Sequence, residues 1–168
     1  MTELWNGSRS ETLALRPKDF SVARTIPTRW RDNDTYGHIN NALYYEFFDT
    51  AINSWLLERL PNAPVWQTHQ NFVAESGCRY LSEIGFPAPL LLTHSVANLG
   101  KSSVTYELGI FDASSIEPGP IAALGRWVHV FVDNANHRPT QIPGEVRAVL
   151  EEAMSPARPD QKLTLERN

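Results

Sequence analysis

Apolar and polar residues change period along this chain, and each change marks an element. Residues 20–30 alternate in part, with Val22, Arg24 and Ile26 followed by Thr28 and Trp30, which predicts a strand; Pro27 predicts an edge position or a bulge for it. Residues 31–41, dense in Asp, Asn and Gly, predict a loop. From 42 to 60 the period turns helical. Phe48, Ala51, Ile52, Trp55, Leu56 and Leu60 recur on one side, and Glu46, Asp49, Asn53 and Glu58 fall elsewhere. Asn40 or Asn41 is the expected N-cap, and Leu60-Pro61 ends the helix, which is apolar and aromatic enough to be mostly buried.

Strand patterns then dominate, over 69–80, 89–99, 103–112 and 122–133, with Gly100-Lys101 as a tight turn and 116–120 as a Pro/Gly loop. Residues 143–154 predict a short amphipathic helix with Pro143 at its start. The ends are polar, and residues 1–17 predict a loose arm. The expected plan is an N-terminal arm (1–18), a single domain (19–154) and a C-terminal tail (155–168). A strand, a long helix and four more strands predict an α+β fold in which an antiparallel sheet of five or six strands wraps the helix. An open sheet edge would then be covered by a two-fold dimer.

The 168 residues are 42% hydrophobic and 20% charged, as in a globular domain that buries a core without disulfides or metal. Lys and Arg number 15 against 19 Asp and Glu, a net charge of −4, the opposite of a chain whose main partner is a nucleic acid. The single cysteine, Cys78, excludes an intrachain disulfide and any zinc site of two or more cysteines. Residues 1–18 carry no signal-peptide core, and no segment approaches the ~20 apolar residues of a membrane span. The expected location is the cytoplasm, without membrane insertion. His38, His69, His94, His129 and His137 lack metalloprotease spacing, and no metal or resident cofactor is expected.

Only residues 31–41 crowd carboxylates, amides, a histidine and a glycine together, immediately before the apolar helix. A helix start offers unpaired N–H groups and partial positive charge, which can hold a developing oxyanion. Asp32 or Asp34 beside it could act as nucleophile or general base, the minimum for acyl transfer. Asp and Asn also gather at caps and turns for local reasons, so the residues alone leave a capped loop as the alternative. A calcium loop starting at Asp32 fails, because Tyr36 and Leu43 occupy its fifth and twelfth positions.

The run Arg31-Asp-Asn-Asp-Thr-Tyr-Gly-His-Ile-Asn-Asn-Ala-Leu-Tyr-Tyr45, followed by Phe47-Phe48-Asp49, resembles the hot-dog-fold acyl-CoA thioesterases, in particular the 4-hydroxybenzoyl-CoA thioesterase-like family. Cys78-Arg79-Tyr80-Leu81 and Leu99-Gly-Lys-Ser-Ser-Val-Thr-Tyr-Glu107 extend the resemblance over about residues 20–133. It implies a long helix wrapped by the sheet, dimers joined edge to edge and often paired into tetramers, and active sites at the dimer interface. By position, Asp34 is the implied catalytic carboxylate and the Asn41 N–H the donor to the thioester carbonyl. Gly37 lets the loop approach substrate. His38 and Asn40 match the Gly-His-x-Asn-Asn subset, which includes plant acyl-carrier thioesterases, and Glu46 and Asp49 are candidates for the further acid of those enzymes. Lys101, Ser102 and Ser103 stand where the family contacts coenzyme A, with a cation and hydroxyls suited to phosphate. An exposed hairpin turn would look the same. Tyr44, with Tyr45, Phe47, Phe48 and Trp55, would line an acyl or aryl pocket or serve as plain core. The implied substrate is an acyl-CoA or an acyl-carrier protein.

Two other classes share this fold. Hot-dog hydratases typically carry Asp-x-Asn-Pro-x-His; here Asp34 and His38 are one residue closer, and Pro is absent. A non-catalytic acyl-CoA binding module is the other, since fold does not fix function.

Overall fold

The computed structural model describes residues 3–155. A short helix α1 (Arg9–Leu13) precedes strand β1 (Val22–Ile26), the long helix α2 (Leu43–Arg59) and the one-turn helix α3 (Val65–Thr68). Four strands follow, β2 (His69–Tyr80), β3 (Leu90–Leu99), β4 (Ser103–Asp112) and β5 (Ile121–Asp133), then helix α4 (Gly144–Glu152). The strands form one antiparallel sheet in the order β1-β3-β4-β5-β2. With α2 packed against it, this is the hot-dog arrangement. β1, which ends just before Pro27, is an edge strand as expected, and the other edge is the long β2. No helix among the described residues is long and apolar enough to cross a membrane.

Tyr44, Phe47, Phe48, Ala51, Ile52, Trp55 and Leu56 recur at helical spacing in α2, and all are buried. They meet Leu90, Leu92, Tyr106, Leu108, Ala123 and Trp127 from the sheet, and α4 closes this core with Val146, Val149 and Leu150. At one point α2 nearly touches the backbone of β5: a Cβ on Gly125 would stand 2.7 Å from the Phe48 ring. Only glycine admits the helix so close.

The N-terminal segment departs from the expected loose arm. In the described part, Ser8 and Glu11 form a reciprocal capping box at the start of α1. Leu4, Leu15 and Phe20 are buried with Phe111, Ile121 and Leu124 in a second apolar cluster. Phe111 follows Ile110, which faces α2, so this cluster lies on the other face of the sheet. β4 is consequently covered on both faces. The expected tail at 155–168 falls, from residue 156 on, outside the described residues.

Two histidines sit in the core between α2 and the sheet. His129 accepts the Trp127 indole N–H on Nε2 at 2.9 Å, and its Nδ1 lies 3.2 Å from the side-chain nitrogen of Asn71. His94 lies against Trp55, and its Nε2 has no partner among the described residues. Burial, aided at His94 by the charge of Arg24, lowers both pKa values to about 4. An unfolded chain would take up these two protons from about pH 6.5 downward; the folded chain resists until about pH 4. Their contribution to stability is therefore complete above the unfolded value and is lost as pH falls through this window. The melting temperature is expected to drop between pH 6.5 and 4.5, and a His94→Gln/His129→Gln variant should lose less over the same interval. An equal drop in native and variant would assign the acid lability to other groups.

Candidate active site

The polar loop is pinned before it reaches α2. Trp30–Asp32 form a 3-10 turn. The Asp32 carboxylate, 1% exposed, accepts the Arg29 backbone N–H at 2.7 Å and its Nε–H at 2.9 Å. The Asp32 carbonyl accepts the Asn40 N–H at 2.9 Å. Asp32 thus closes the base of the loop and has no face left for substrate. Arg29 also reaches Glu46 in the first turn of α2, at 3.6 Å.

A segment between β2 and β3 holds the far side. Ile39 N–H donates to the Ile84 carbonyl at 2.9 Å, and Phe86 N–H to Asn33 Oδ1 at 3.0 Å. The contact is tight enough that a Cβ on Gly85 would come within 2.4 Å of the Gly37 carbonyl oxygen. Gly37 has φ +86°, in the left-handed region that favours glycine, and turns the chain back between Asp34 and His38.

Asp34 is half-buried inside this turn. Its N–H donates to the His38 carbonyl at 2.8 Å, and its Oδ1 accepts the Tyr36 N–H at 2.8 Å and the His38 N–H at 3.3 Å. Oδ2 has no hydrogen-bond partner among the described residues. One carboxylate oxygen is anchored and the other is available, as a nucleophile or base requires.

Neither expected cap holds the N-cap position: the helix is preceded by Ala42, without a side-chain cap, because a turn separates the asparagines from it, in which Asn40 Oδ1 accepts the Ala42 N–H at 3.0 Å and the Asn40 carbonyl the Leu43 N–H at 2.9 Å. The Asn41 N–H has no acceptor among the described residues and stands at the positive end of α2. The Asn41 carbonyl accepts the Tyr80 hydroxyl at 3.0 Å. His38 turns away from Asp34, its Nε2 lying 3.3 Å from Glu83. In α2, Asp49 accepts the Asn53 amide at 3.0 Å.

Tyr44 and Tyr80 meet edge-on at 5.1 Å between ring centres. With His38, Ile39, Asn41, Leu81, Ser82 and Glu83 they line an open hollow of about 290 Å³. Burial above all, then the neighbouring Cys78, Tyr80 and Asp34, pushes Tyr44 up to about 12. Burial likewise pushes Cys78 and Tyr80 up to about 12. All three keep their protons at neutral pH, so the thiol is no nucleophile. A second hollow, of about 430 Å³, lies further along the α2–β2 side and includes Asn53, Trp66 and Asn71. Among the described residues no three His, Cys, Asp or Glu converge to hold a metal.

The structure brings Asp34, Gly37, His38, Asn40, Asn41 and Tyr44 together. It does not bring Lys101, Ser102 and Ser103 to them within one chain. That turn joins β3 to β4 where Leu99 pairs with Val104, whereas the Asp34 loop is fastened next to where Leu90 pairs with Asp112. The two ends are roughly 30 Å apart at about 3.3 Å per residue. The turn is anchored instead to β5 and to the segment before α4: Phe131 N–H donates to the Ser102 carbonyl and Ile142 N–H to the Lys101 carbonyl, at 2.8 and 2.9 Å. Sequence reasoning gave no role to Tyr80 and passed over Glu83 and the 84–86 fastening, which enter from across the sheet. The only signal was the match at Cys78-Arg79-Tyr80-Leu81.

A model of the thioesterase-like superfamily matches residues 28–150. Among solved structures, the PA5185 protein from Pseudomonas aeruginosa strain PAO1 is 40% identical, with 85% of this chain and 98% of that chain covered and a TM-score of 0.78. A thioesterase from Thermus thermophilus, complexed with coenzyme A and Zn, is 25% identical over 80% of this chain and 94% of that one, with a TM-score of 0.67. A 1,4-dihydroxy-2-naphthoyl-CoA thioesterase from Synechocystis shares the fold at 14% identity, over 76% and 93% of the two chains, with a TM-score of 0.66. No curated protein sequence matches the chain.

Proposed function

The chain belongs to the thioesterase-like superfamily of thioester hydrolases, and on that premise we propose that it cleaves acyl- or aryl-CoA thioesters with Asp34 as nucleophile or general base and the Asn41 N–H as oxyanion donor. The observation that carries this reading is the half-free Asp34 carboxylate in the loop that leads to an unpaired N–H at the start of α2, where Asn41, Tyr44 and Tyr80 line a hollow.

The thioester oxygen would sit on the Asn41 N–H, where charge growing on it during attack meets the helix dipole. As nucleophile, Asp34 Oδ2 adds to the carbonyl carbon, the C–S bond breaks, coenzyme A leaves as thiolate, and water cleaves the resulting mixed anhydride to restore the carboxylate. As base, Oδ2 takes a proton from the attacking water and the thiolate receives it.

The CoA handle would come from a second copy. β2 is an open edge with Phe72, Val73 and Tyr80 exposed along it. Two such edges paired antiparallel about a two-fold axis put the Lys101–Ser103 turn of one copy at the Asp34 end of the other. Phosphates on that turn and the acyl group on the Tyr44 side would then span the interface. This supports a homodimer as the active unit, alone or paired into a tetramer. The coenzyme A bound by the Thermus thermophilus thioesterase supports CoA over a carrier protein.

The test is thiol release by the purified full chain from acetyl-, butyryl-, octanoyl- and palmitoyl-CoA, phenylacetyl-CoA and 4-hydroxybenzoyl-CoA. At least one is expected to turn over. No release from any, by a folded dimer, would overturn the CoA thioesterase reading, and hydration of crotonyl-CoA would then move the chain to the hydratases.

A further inference from the structure

The N-terminal segment grips the strand that supports the candidate oxyanion donor. On the face of the sheet away from α2, the Trp5 indole lies over Gly77 so closely that a Cβ there would be 3.0 Å from the ring. The Arg79 guanidinium stacks 4.5 Å from the centre of the same ring and donates to the Gly7 carbonyl at 3.2 Å. Trp5 N–H donates to Oε1 of buried Glu107 at 2.8 Å, and Arg126 bridges Glu3 and Glu75. Residues 3–7 are thereby fixed to Glu75, Gly77 and Arg79, outward positions in the second half of β2.

The next residue is Tyr80, on the inner face. Its hydroxyl donates to the Asn41 carbonyl at 3.0 Å. Asn41 lies between two peptide planes. The one carrying its N–H is held by Leu43 N–H on the Asn40 carbonyl; the one carrying its C=O is held by Asn40 Oδ1 on Ala42 N–H and by Tyr80. Tyr80 is the single tie in this set that comes from outside the loop and helix.

We propose that Tyr80 is a positioning residue for the Asn41 N–H, and that the N-terminal strap, through Trp5 packed on Gly77 and Arg79, holds Tyr80 in place. This rests on the reading of Asn41 as oxyanion donor. A misaligned donor loses hydrogen-bond strength where transition-state charge is greatest, so the effect belongs in kcat rather than KM.

The experiment uses full-length Tyr80→Phe, Trp5→Ala, Trp5→Phe and the Tyr80→Phe/Trp5→Ala double variant, assayed on the CoA thioester the native chain hydrolyses fastest in the panel above. Tyr80→Phe and Trp5→Ala are each expected to lower kcat about three- to tenfold, the range of one lost or misaligned hydrogen bond, with KM within twofold. Trp5→Phe, which keeps an aromatic ring over Gly77 and Arg79, should recover most of the loss. The double variant should be no slower than Tyr80→Phe, because both changes act through one contact. Native kcat in Tyr80→Phe overturns the positioning role, and multiplying losses in the double variant overturn the route through Tyr80. A second readout is independent of turnover: the Asn41 amide resonance is expected to move in both Tyr80→Phe and Trp5→Ala, and an unmoved resonance in Trp5→Ala overturns the coupling. Near-native turnover in Asp34→Asn would instead sink the underlying site, which keeps the two failures apart.

Discussion

Replacing Asp34 by Asn is expected to cut turnover by about two to four orders of magnitude, the range spanned when a nucleophile or general base is lost, with KM changed only a few-fold. Asn is the informative choice. Its side-chain oxygen can still accept the Tyr36 and His38 N–H groups that Asp34 Oδ1 accepts, at 2.8 and 3.3 Å, so the turn survives and only the charge and basicity disappear. Asp34→Ala removes those anchors too and mixes chemistry with loop disorder. A loss in kcat and kcat/KM of equal size marks an interaction made in the transition state. Near-native turnover in a folded Asp34→Asn protein would remove Asp34 from the mechanism. Single-turnover hydrolysis in H₂¹⁸O tests directly for the nucleophilic route. Heavy oxygen found in the Asp34 carboxylate requires the anhydride, because a general base never bonds to the acyl carbon.

Asp32, two residues earlier, shows why type and spacing did not assign these carboxylates. Either could have been the base. The structure separates them by what each faces: Asp32 is enclosed by Arg29 and carries the Asn40 tie, and Asp34 keeps one oxygen free. Neighbours in a loop such as Gly37, His38, Asn40 and Asn41 are legible because the chain itself keeps them close. Tyr80 is 39 residues from the carbonyl it holds, and its arrival depends on where β2 ends beside α2, which no local pattern encodes.

The same distinction runs through the fold. Long uniform patterns gave α2 to within a residue at each end and β2 and β4 at their observed bounds. Leu4, Trp5 and Leu15 are isolated apolar residues in a polar stretch, without a period, and their partners Phe111, Ile121 and Leu124 come from the far end of the chain. A strap of this kind reads as a loose arm until the sheet face beneath it is seen. That Lys101–Ser103 and Asp34 lie at opposite ends of one chain's sheet was hidden from the sequence for a related reason. Motif order along a sequence says nothing about which end of an antiparallel sheet a turn occupies, and β4 runs the full length of the sheet between them.

Phe48→Ala is expected to destabilise the fold by about 3–5 kcal/mol, the cost of emptying a buried phenylalanine site. Phe48 is 1% exposed, and its ring sits on the bare backbone of β5 at Gly125. Few neighbours can collapse into the space, because the glycine has no side chain to offer and the strand is held on both sides by β4 and β2. Urea unfolding should show a lower midpoint with an unchanged slope, since the surface exposed on unfolding is nearly the same. Gly125→Val probes the contact from the other partner. Its Cβ would stand 2.7 Å from the ring, so it should cost about 1–3 kcal/mol by overpacking in the native background and less when Phe48 is Ala. That non-additivity identifies the two as one contact. A loss below about 1 kcal/mol for Phe48→Ala, or additive effects in the pair, would mean that α2 is not seated on β5 as described. The seating matters for chemistry as well as stability: Asn41 is attached to the first turn of α2, and the depth to which Phe48 settles onto Gly125 sets how far that turn stands from β2 and Tyr80.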